Sequence, residues 1–242
     1  MIDKNSPLPI YYQLEEIIKE MIEKKELKAG DLIPSEREFS EKYEISRMTV
    51  RQAINSLVND GYLIRKQGKG TYVARQKIEQ TLKGLTSFSE DMKTRGMEPS
   101  TKLIDFKIIP SSHGIASKLA IEEGTLIFEV KRVRLADGIP MAYEVSYLPV
   151  DLVKGLSKEI VNGSLYEYIE NTLKMKIGHG TQILEASIAR KTESEILDIH
   201  EGAPVLLIQR YSYLEDGKPL EVVKSIYRAD RYKFIIDMPR VK

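Results

Sequence analysis

Between Pro34 and Val73 two helix-start signals, an arginine-bearing helix and a glycine-tipped basic hairpin follow one another with almost no spare residues. Few folds accommodate that order. Ser35, three residues before Glu38, forms a capping box that opens a short helix ending near Tyr43. Ser46 caps the next helix. Its spacing turns Val50, Ala53, Ile54, Leu57 and Val58 inward and leaves Arg47, Arg51, Gln52 and Asn55 outside. Gly61 ends it. Tyr62-Leu63-Ile64 and Thr71-Tyr72-Val73 then read as strands joined through Gly68 and Gly70. An earlier helix runs from near Pro9 to about Lys25, with Leu14, Ile17, Ile18, Met21 and Ile22 as its apolar stripe. The layout suits a helix lying in the DNA major groove beside a wing that reaches the neighbouring minor groove.

A net charge of +1 over the 242 residues argues, taken alone, against a nucleic-acid partner. The distribution argues the other way. From residue 45 to 77, Arg47, Arg51, Arg65, Lys66, Lys69, Arg75 and Lys77 stand against Asp60 alone, the segregation that phosphate binding requires. The candidate DNA contacts are Ser35 and Arg37 on the shorter helix, then Ser46, Arg47, Thr49, Arg51 and Gln52 on the longer one. In the wing they are Lys66, Gly68, Lys69, Gly70 and Thr71. The competing reading is a small helical domain whose arginines are merely solvated.

The chain is long enough for two domains, each with its own core. It has no cysteine, which excludes disulfides and thiolate chemistry, and its three histidines are too scattered for a zinc site. No metal or cofactor is expected. No apolar leader or membrane-length run is present, so the cytoplasm is the expected location.

Residues 1–75 read as the DNA-binding domain, 76–83 as a polar linker, and 84–242 as a second domain. In the latter, Ser87 and Glu90 form another capping box. Strand-like runs follow at 103–109, 126–135, 141–148, 183–189, 205–214 and 220–227, with helical pieces at 111–119, 164–172 and 194–197. Helices among hairpin-connected strands predict an α+β fold with an antiparallel sheet. Asp-Gly-x-Pro recurs at 137 and 216, each time with a serine eight residues beyond the glycine (Ser146, Ser225), as two related hairpins would require.

Arg132 and Arg134 share one strand face with apolar Phe128 and Val130. Two guanidinium groups on a core-facing row are costly unless an anion meets them. The backbone of Phe88 and Ser89 after Ser87 offers donors at a helix start, and Ser164 and Tyr166 could add hydroxyls. Glu221, Ser225 and Tyr227 alternate onto one face of their strand, groups suited to a sugar. Glu144 faces Arg132 if the Asp137-Gly138-Ile139 turn has three residues, and is flipped away by a two-residue loop. Alternatively the arginines are structural partners of Glu144 or Glu129.

Pro34-Ser-Glu-Arg-Glu, Ser46-Arg-Met-Thr-Val-Arg-Gln-Ala and Gly68-x-Gly-Thr-Tyr-Val resemble the winged helix-turn-helix of GntR-type regulators. The downstream half resembles the effector domain of their HutC subfamily, a fold akin to chorismate lyase. Gly84-Leu-Thr-Ser-Phe-Ser-Glu-Asp-Met, Arg132-Val-Arg-Leu-Ala-x-x-Ile-Pro-Met-Ala and Ser225-Ile-Tyr-Arg-Ala-Asp-Arg-Tyr are similar to repressors of N-acetylglucosamine utilisation. The resemblance implies a homodimeric repressor on a near-palindromic operator, with Arg37, Arg47 and the wing glycines as operator contacts. It implies glucosamine 6-phosphate or its N-acetyl form as effector, its phosphate among Ser87, Phe88, Ser89, Arg132, Arg134, Ser164 and Tyr166. An activator of the same fold, or a lyase or sugar-phosphate enzyme, is the alternative. One departure stands out: many such regulators have glycine in the helix-turn-helix turn, where this chain has Glu44. A positive φ at a non-glycine residue costs about 1 kcal/mol.

Overall fold

The computed structural model describes every residue except Met1, Asn5, Lys25, Gln67, Arg75, Gln76, Lys83, Pro239, Val241 and Lys242. The chain divides into two compact units, Met1–Lys77 and Ile78–Lys242.

In the first unit, α1 (Ile10–Glu23), α2 (Glu36–Tyr43) and α3 (Arg47–Asn59) surround a core of Leu14, Ile18, Phe39, Val50, Ile54 and Leu57. Both serine caps form: Ser35 Oγ accepts the Glu38 N–H at 3.2 Å while Glu38 Oε2 accepts that of Ser35, and Ser46 Oγ accepts the Thr49 N–H at 3.1 Å. Glu44, at φ 50 and ψ 47, holds the left-handed conformation that the tight α2–α3 turn demands. The wing is an antiparallel hairpin of β1 (Leu63–Lys66) and β2 (Gly70–Val73). Backbone bonds from Val73 to Asp31 and from Ile33 to Thr71 add a third rung. Glycine is needed at position 70, where φ is 105° and a Cβ would come within 2.6 Å of Leu32 Cδ1.

The second unit is built on a six-stranded antiparallel sheet. Its strands are β4 (Pro99–Pro110), β5 (Leu126–Ala136), β6 (Ile139–Pro149), β7 (Ile177–Ile188), β8 (Pro204–Leu214) and β9 (Pro219–Arg228), ordered β4-β5-β6-β9-β8-β7. The two Asp-Gly hairpins, β5–β6 and β8–β9, are thus joined back to back. Glu144 pairs with Ser225 and Ser146 with Val223, as a local two-fold between repeats requires. One face carries α4 (Phe88–Thr94), α6 (Lys158–Val161) and α7 (Leu165–Glu167, continued by a π-helical turn, Tyr168–Thr172). The opposite face is covered by α5 (His113–Leu119) and α8 (Lys191–Leu197).

The expected linker over 76–83 is corrected in part. Residues Ile78–Thr81 form a strand, β3, paired in parallel with β10 (Tyr232–Ile235), and Ile78 is buried beside Tyr232. The partner strand lies at the far end of the unit's chain, so nothing local in a polar stretch signals the pairing. Helix α6 also has no forerunner in the sequence reading.

Candidate functional site

The outer surface of α3 and the wing carries the first cluster. Arg47 and Gln52 are exposed, and among the described residues the Arg47 side chain has no partner. Arg51 is not free as its position on the helix suggests: Glu36 accepts its Nε at 3.0 Å and its Nη2 at 2.8 Å, and also takes Arg65 Nη2 at 3.3 Å. One carboxylate thereby links α2, α3 and β1. Arg37, largely exposed, leans on Glu41 at 2.8 Å. Ser35 and Ser46 spend their oxygens on caps, and the Thr49 hydroxyl bonds that of Ser46 at 2.8 Å. In the wing, Lys66 sits over the Tyr72 ring, Tyr72 donates to the Lys69 carbonyl, and Gly68 takes φ 69° at the tip. Sequence reasoning passed over Met48, an apolar side chain 68% exposed beside Arg47.

The second cluster is a cleft on the helix-bearing face of the sheet. Strands form its floor with Arg132, Arg134, Glu144, Arg210, Glu221 and Val223. Ser87 and Phe88 of the α4 start form one wall, and Ser164, Leu165 and Tyr166 of the α7 start form the other. It measures about 350 Å³ counting its open mouth, of which about 30 Å³ admits the centre of a water molecule.

Arg132 Nε and Nη2 meet Glu144 Oε1 at 2.7 and 2.6 Å, and its Nη1 donates to the Val161 carbonyl. The Asp137-Gly138 loop has two residues, which alone would turn Glu144 away. A bulge between Arg134 and Leu135 on one side, with Met141 as the extra residue opposite, restores the register and sets Glu144 facing Arg132. Arg134 is different. Its Nη2 donates to Ser89 Oγ at 2.8 Å, its guanidinium stacks 4.9 Å above the Phe88 ring, and its buried Nε has no acceptor among the described residues. No described carboxylate forms a salt bridge with it. Tyr166 donates to Glu221 Oε1 at 2.8 Å, and Ser212 bonds the same oxygen at 3.0 Å.

Three of the anticipated residues lie off the cleft lining. Ser89 is tied up with Arg134. Ser225 is fully buried opposite Glu144, with its hydroxyl unpartnered among the described residues. Tyr227 packs edge-on against Tyr232 at 4.8 Å and near Phe234, because β10 folds over that end of the face. Arg210 was missed, although Ile208, Arg210, Ser212 and Leu214 alternate just as the Arg132 row does.

The electrostatics favour an anion. Burial, and then the adjacent Arg132 charge, pull the Arg134 pKa down to about 10. Burial acts to raise Glu144, but the Arg132 and Arg134 charges more than offset it and leave its pKa at about 2. Burial lifts the Glu221 carboxyl above its usual range and Tyr227 to about 12. The cleft thus holds three guanidiniums, Arg132, Arg134 and Arg210, against two carboxylates, Glu144 and Glu221.

Residues 10–73 match the model for bacterial regulatory proteins of the gntR family, and residues 94–233 match the UTRA domain. The chain is a GntR-family regulator. It is 48% identical over 240 residues to the HTH-type transcriptional repressor NagR of Bacillus subtilis, covering 99% of each chain. It is 32% identical to the mannosyl-D-glycerate transport/metabolism system repressor MngR of Escherichia coli, covering 94% of this chain and 95% of that one. Among solved structures, PhnF of Mycobacterium smegmatis superposes with a TM-score of 0.69 at 28% identity, covering 95% of this chain and 98% of that one. The GntR match falls on the unit with the exposed arginine face and the UTRA match on the unit with the cleft. In this HutC-type regulator, then, the winged helix-turn-helix is the DNA-binding part and the sheet unit the effector-binding part.

Proposed function

We propose that this regulator is a homodimeric repressor that leaves a near-palindromic operator when a phosphorylated amino sugar enters the cleft. The observation that carries the reading is Arg134: a buried guanidinium with no carboxylate partner, an idle Nε and a depressed pKa, lacking an anion and placed on the cleft floor. A phosphate supplies what Arg134 lacks, with Ser87, Phe88, Ser164 and Arg132 around it, while Ser89 holds Arg134 from outside the lining. Glu144 and Glu221 accept bonds from ring hydroxyls or an amine, and Tyr166 orients Glu221. Ser225 and Tyr227 shape the floor from beneath rather than touch the sugar. A hexose phosphate entering the cleft rearranges lining side chains and so binds one arrangement of the unit better than another, the condition for any effector. On the DNA side, Arg47, Gln52, Thr49 and Met48 face the bases, while Arg37, Arg51, Lys66, Lys69 and the Gly68–Gly70 backbone meet phosphate and minor groove. The likeness to the repressor NagR supports repression over activation.

Titrating glucosamine 6-phosphate, N-acetylglucosamine 6-phosphate and the unphosphorylated sugars into the protein–operator complex tests this. Release by the phosphates alone is expected. Release by the free sugars as effectively, or by none of the four, would overturn it.

A further inference from the structure

Arg210 projects from β8 onto the cleft floor, yet its one side-chain hydrogen bond leads out of the cleft. Its Nη1 donates to the Thr86 carbonyl at 3.0 Å, and its Nε is buried without an acceptor among the described residues. Thr86 directly precedes Ser87, the cap of α4, and its own hydroxyl donates to Asp91 Oδ1 at 2.8 Å. Leu85 lies against Gly180 on β7, where a Cβ would come within 3.2 Å of its Cδ1. Residues 84–87 therefore rest on the β7–β8 side of the sheet, and Arg210 is the described sheet side chain that bonds their backbone. The same residues connect α4 to β3, the first strand after the DNA-binding unit in the chain.

A guanidinium has five donors, and a single neutral carbonyl is a weak counterpart for a half-buried cation. An anion in the cleft is a stronger one, since charge-assisted bonds are roughly twice as strong as those to neutral groups. We propose that Arg210 is a positioning residue which latches residues 84–87 through the Thr86 carbonyl while the cleft is empty and exchanges that bond for the anion when the cleft fills. Effector binding then loosens the segment that leads towards the DNA-binding unit. This deepens the effector reading above and rests on it for the identity of the anion, while the latch itself is a property of the empty protein.

Hydrogen exchange of the amides in 84–87, measured on the full chain, separates the two. In the ligand-free state, Arg210→Gln should speed exchange there by roughly tenfold or more, the size expected for loss of one charged hydrogen bond. Saturating glucosamine 6-phosphate should bring the wild type to a similar rate and change the variant little. If Arg210→Gln fails to fold, Arg210→Lys, which keeps the charge but offers a single point donor, should give an intermediate rate. Unchanged exchange in the ligand-free variant overturns the latch. So does ligand that releases the operator yet leaves wild-type exchange at 84–87 as it was. If glucosamine 6-phosphate binds nowhere, the effector reading falls alone, and inorganic phosphate becomes the probe. Faster wild-type exchange at saturating phosphate then upholds the latch, and no change overturns it.

Discussion

On α3, Arg47 extends into solvent with no partner, and its neighbour Arg51 is shared with a half-exposed Glu36. On β5, Arg132 and Arg134 are 5% and 2% exposed, one locked to Glu144 and the other lacking any carboxylate. Both surfaces are built from arginine two to four residues apart, and both suit phosphate. Solvent does the difference. An exposed arginine is screened and costs the fold nothing when idle, so it can wait for DNA without a counterion. A buried one strains the folded state until something anionic arrives, so part of its binding energy is already invested as an unmet charge. On the proposed reading, the exposed charges add a general attraction to DNA phosphate on top of base contacts, while the buried pair selects an anion that fits the cleft.

Removing one charge from each surface sharpens the contrast, and the buried one gives the larger effect. Arg132→Ala strands Glu144 without its partner, which should cost about 3–5 kcal/mol of stability and abolish effector binding. Thermal unfolding and calorimetric titration with glucosamine 6-phosphate read both. A variant that unfolds at the wild-type temperature would show that Glu144 finds another cation and that burial does not set the two surfaces apart. The same pair governs the acid limb. Glu144 titrates at about 2 in the fold, against roughly 4.3 in an unfolded chain. Between those values the unfolded state binds the extra proton, so stability rises with pH; it is complete above about 4.3 and lost as pH falls through 2. Urea midpoints from pH 5 to 2.5 should fall steeply in the wild type and less in Glu144→Gln.

Arg47→Ala should act in the opposite sense. Stability should stay within about 0.5 kcal/mol, as for an exposed substitution, while operator affinity drops roughly tenfold to a hundredfold. Effector binding should not change. Across a salt series, the wild-type operator constant should fall steeply on a log–log plot because phosphates are neutralised by exposed cations, and effector binding should fall less because the cleft is shielded. Equal salt slopes for the two ligands would erase the contrast.

The two regions also differed in how far the sequence revealed them. Local signals specify the first: Ser35–Glu38 and Ser46 act within three residues, and each cap forms where it was expected. The cleft depends on pairings far apart in the chain. Alternation along β5 exposed Arg132 and Arg134 because a charge amid Phe128 and Val130 is conspicuous. The same alternation runs through Arg210 on β8, but nothing local says that β8 shares a floor with β5. Turn length alone could not settle Glu144, because the Met141 bulge undoes what the two-residue loop dictates. Ser225 and Tyr227 were assigned by strand parity, which is right about the face and silent about β10 covering one end of it.

The smallest predicted effect concerns Glu44. Its φ of 50° places it in the left-handed region that glycine occupies without strain, and its backbone N–H bonds the Ser40 carbonyl. Its carboxylate reaches Lys4 at 3.6 Å, but both groups are exposed and such pairs contribute little. Glu44→Gly removes about 1 kcal/mol of backbone strain and restores part of it as extra freedom in the unfolded chain. The net gain should be a few tenths of a kcal/mol, visible as a slight rise in the thermal midpoint, with operator affinity unchanged. A fall in the midpoint would mean the side chain stabilises the turn by more than its strain. A loss of operator affinity would mean Glu44 sets the angle between α2 and α3, and that the exposed surface, like the cleft, owes its geometry to a charge.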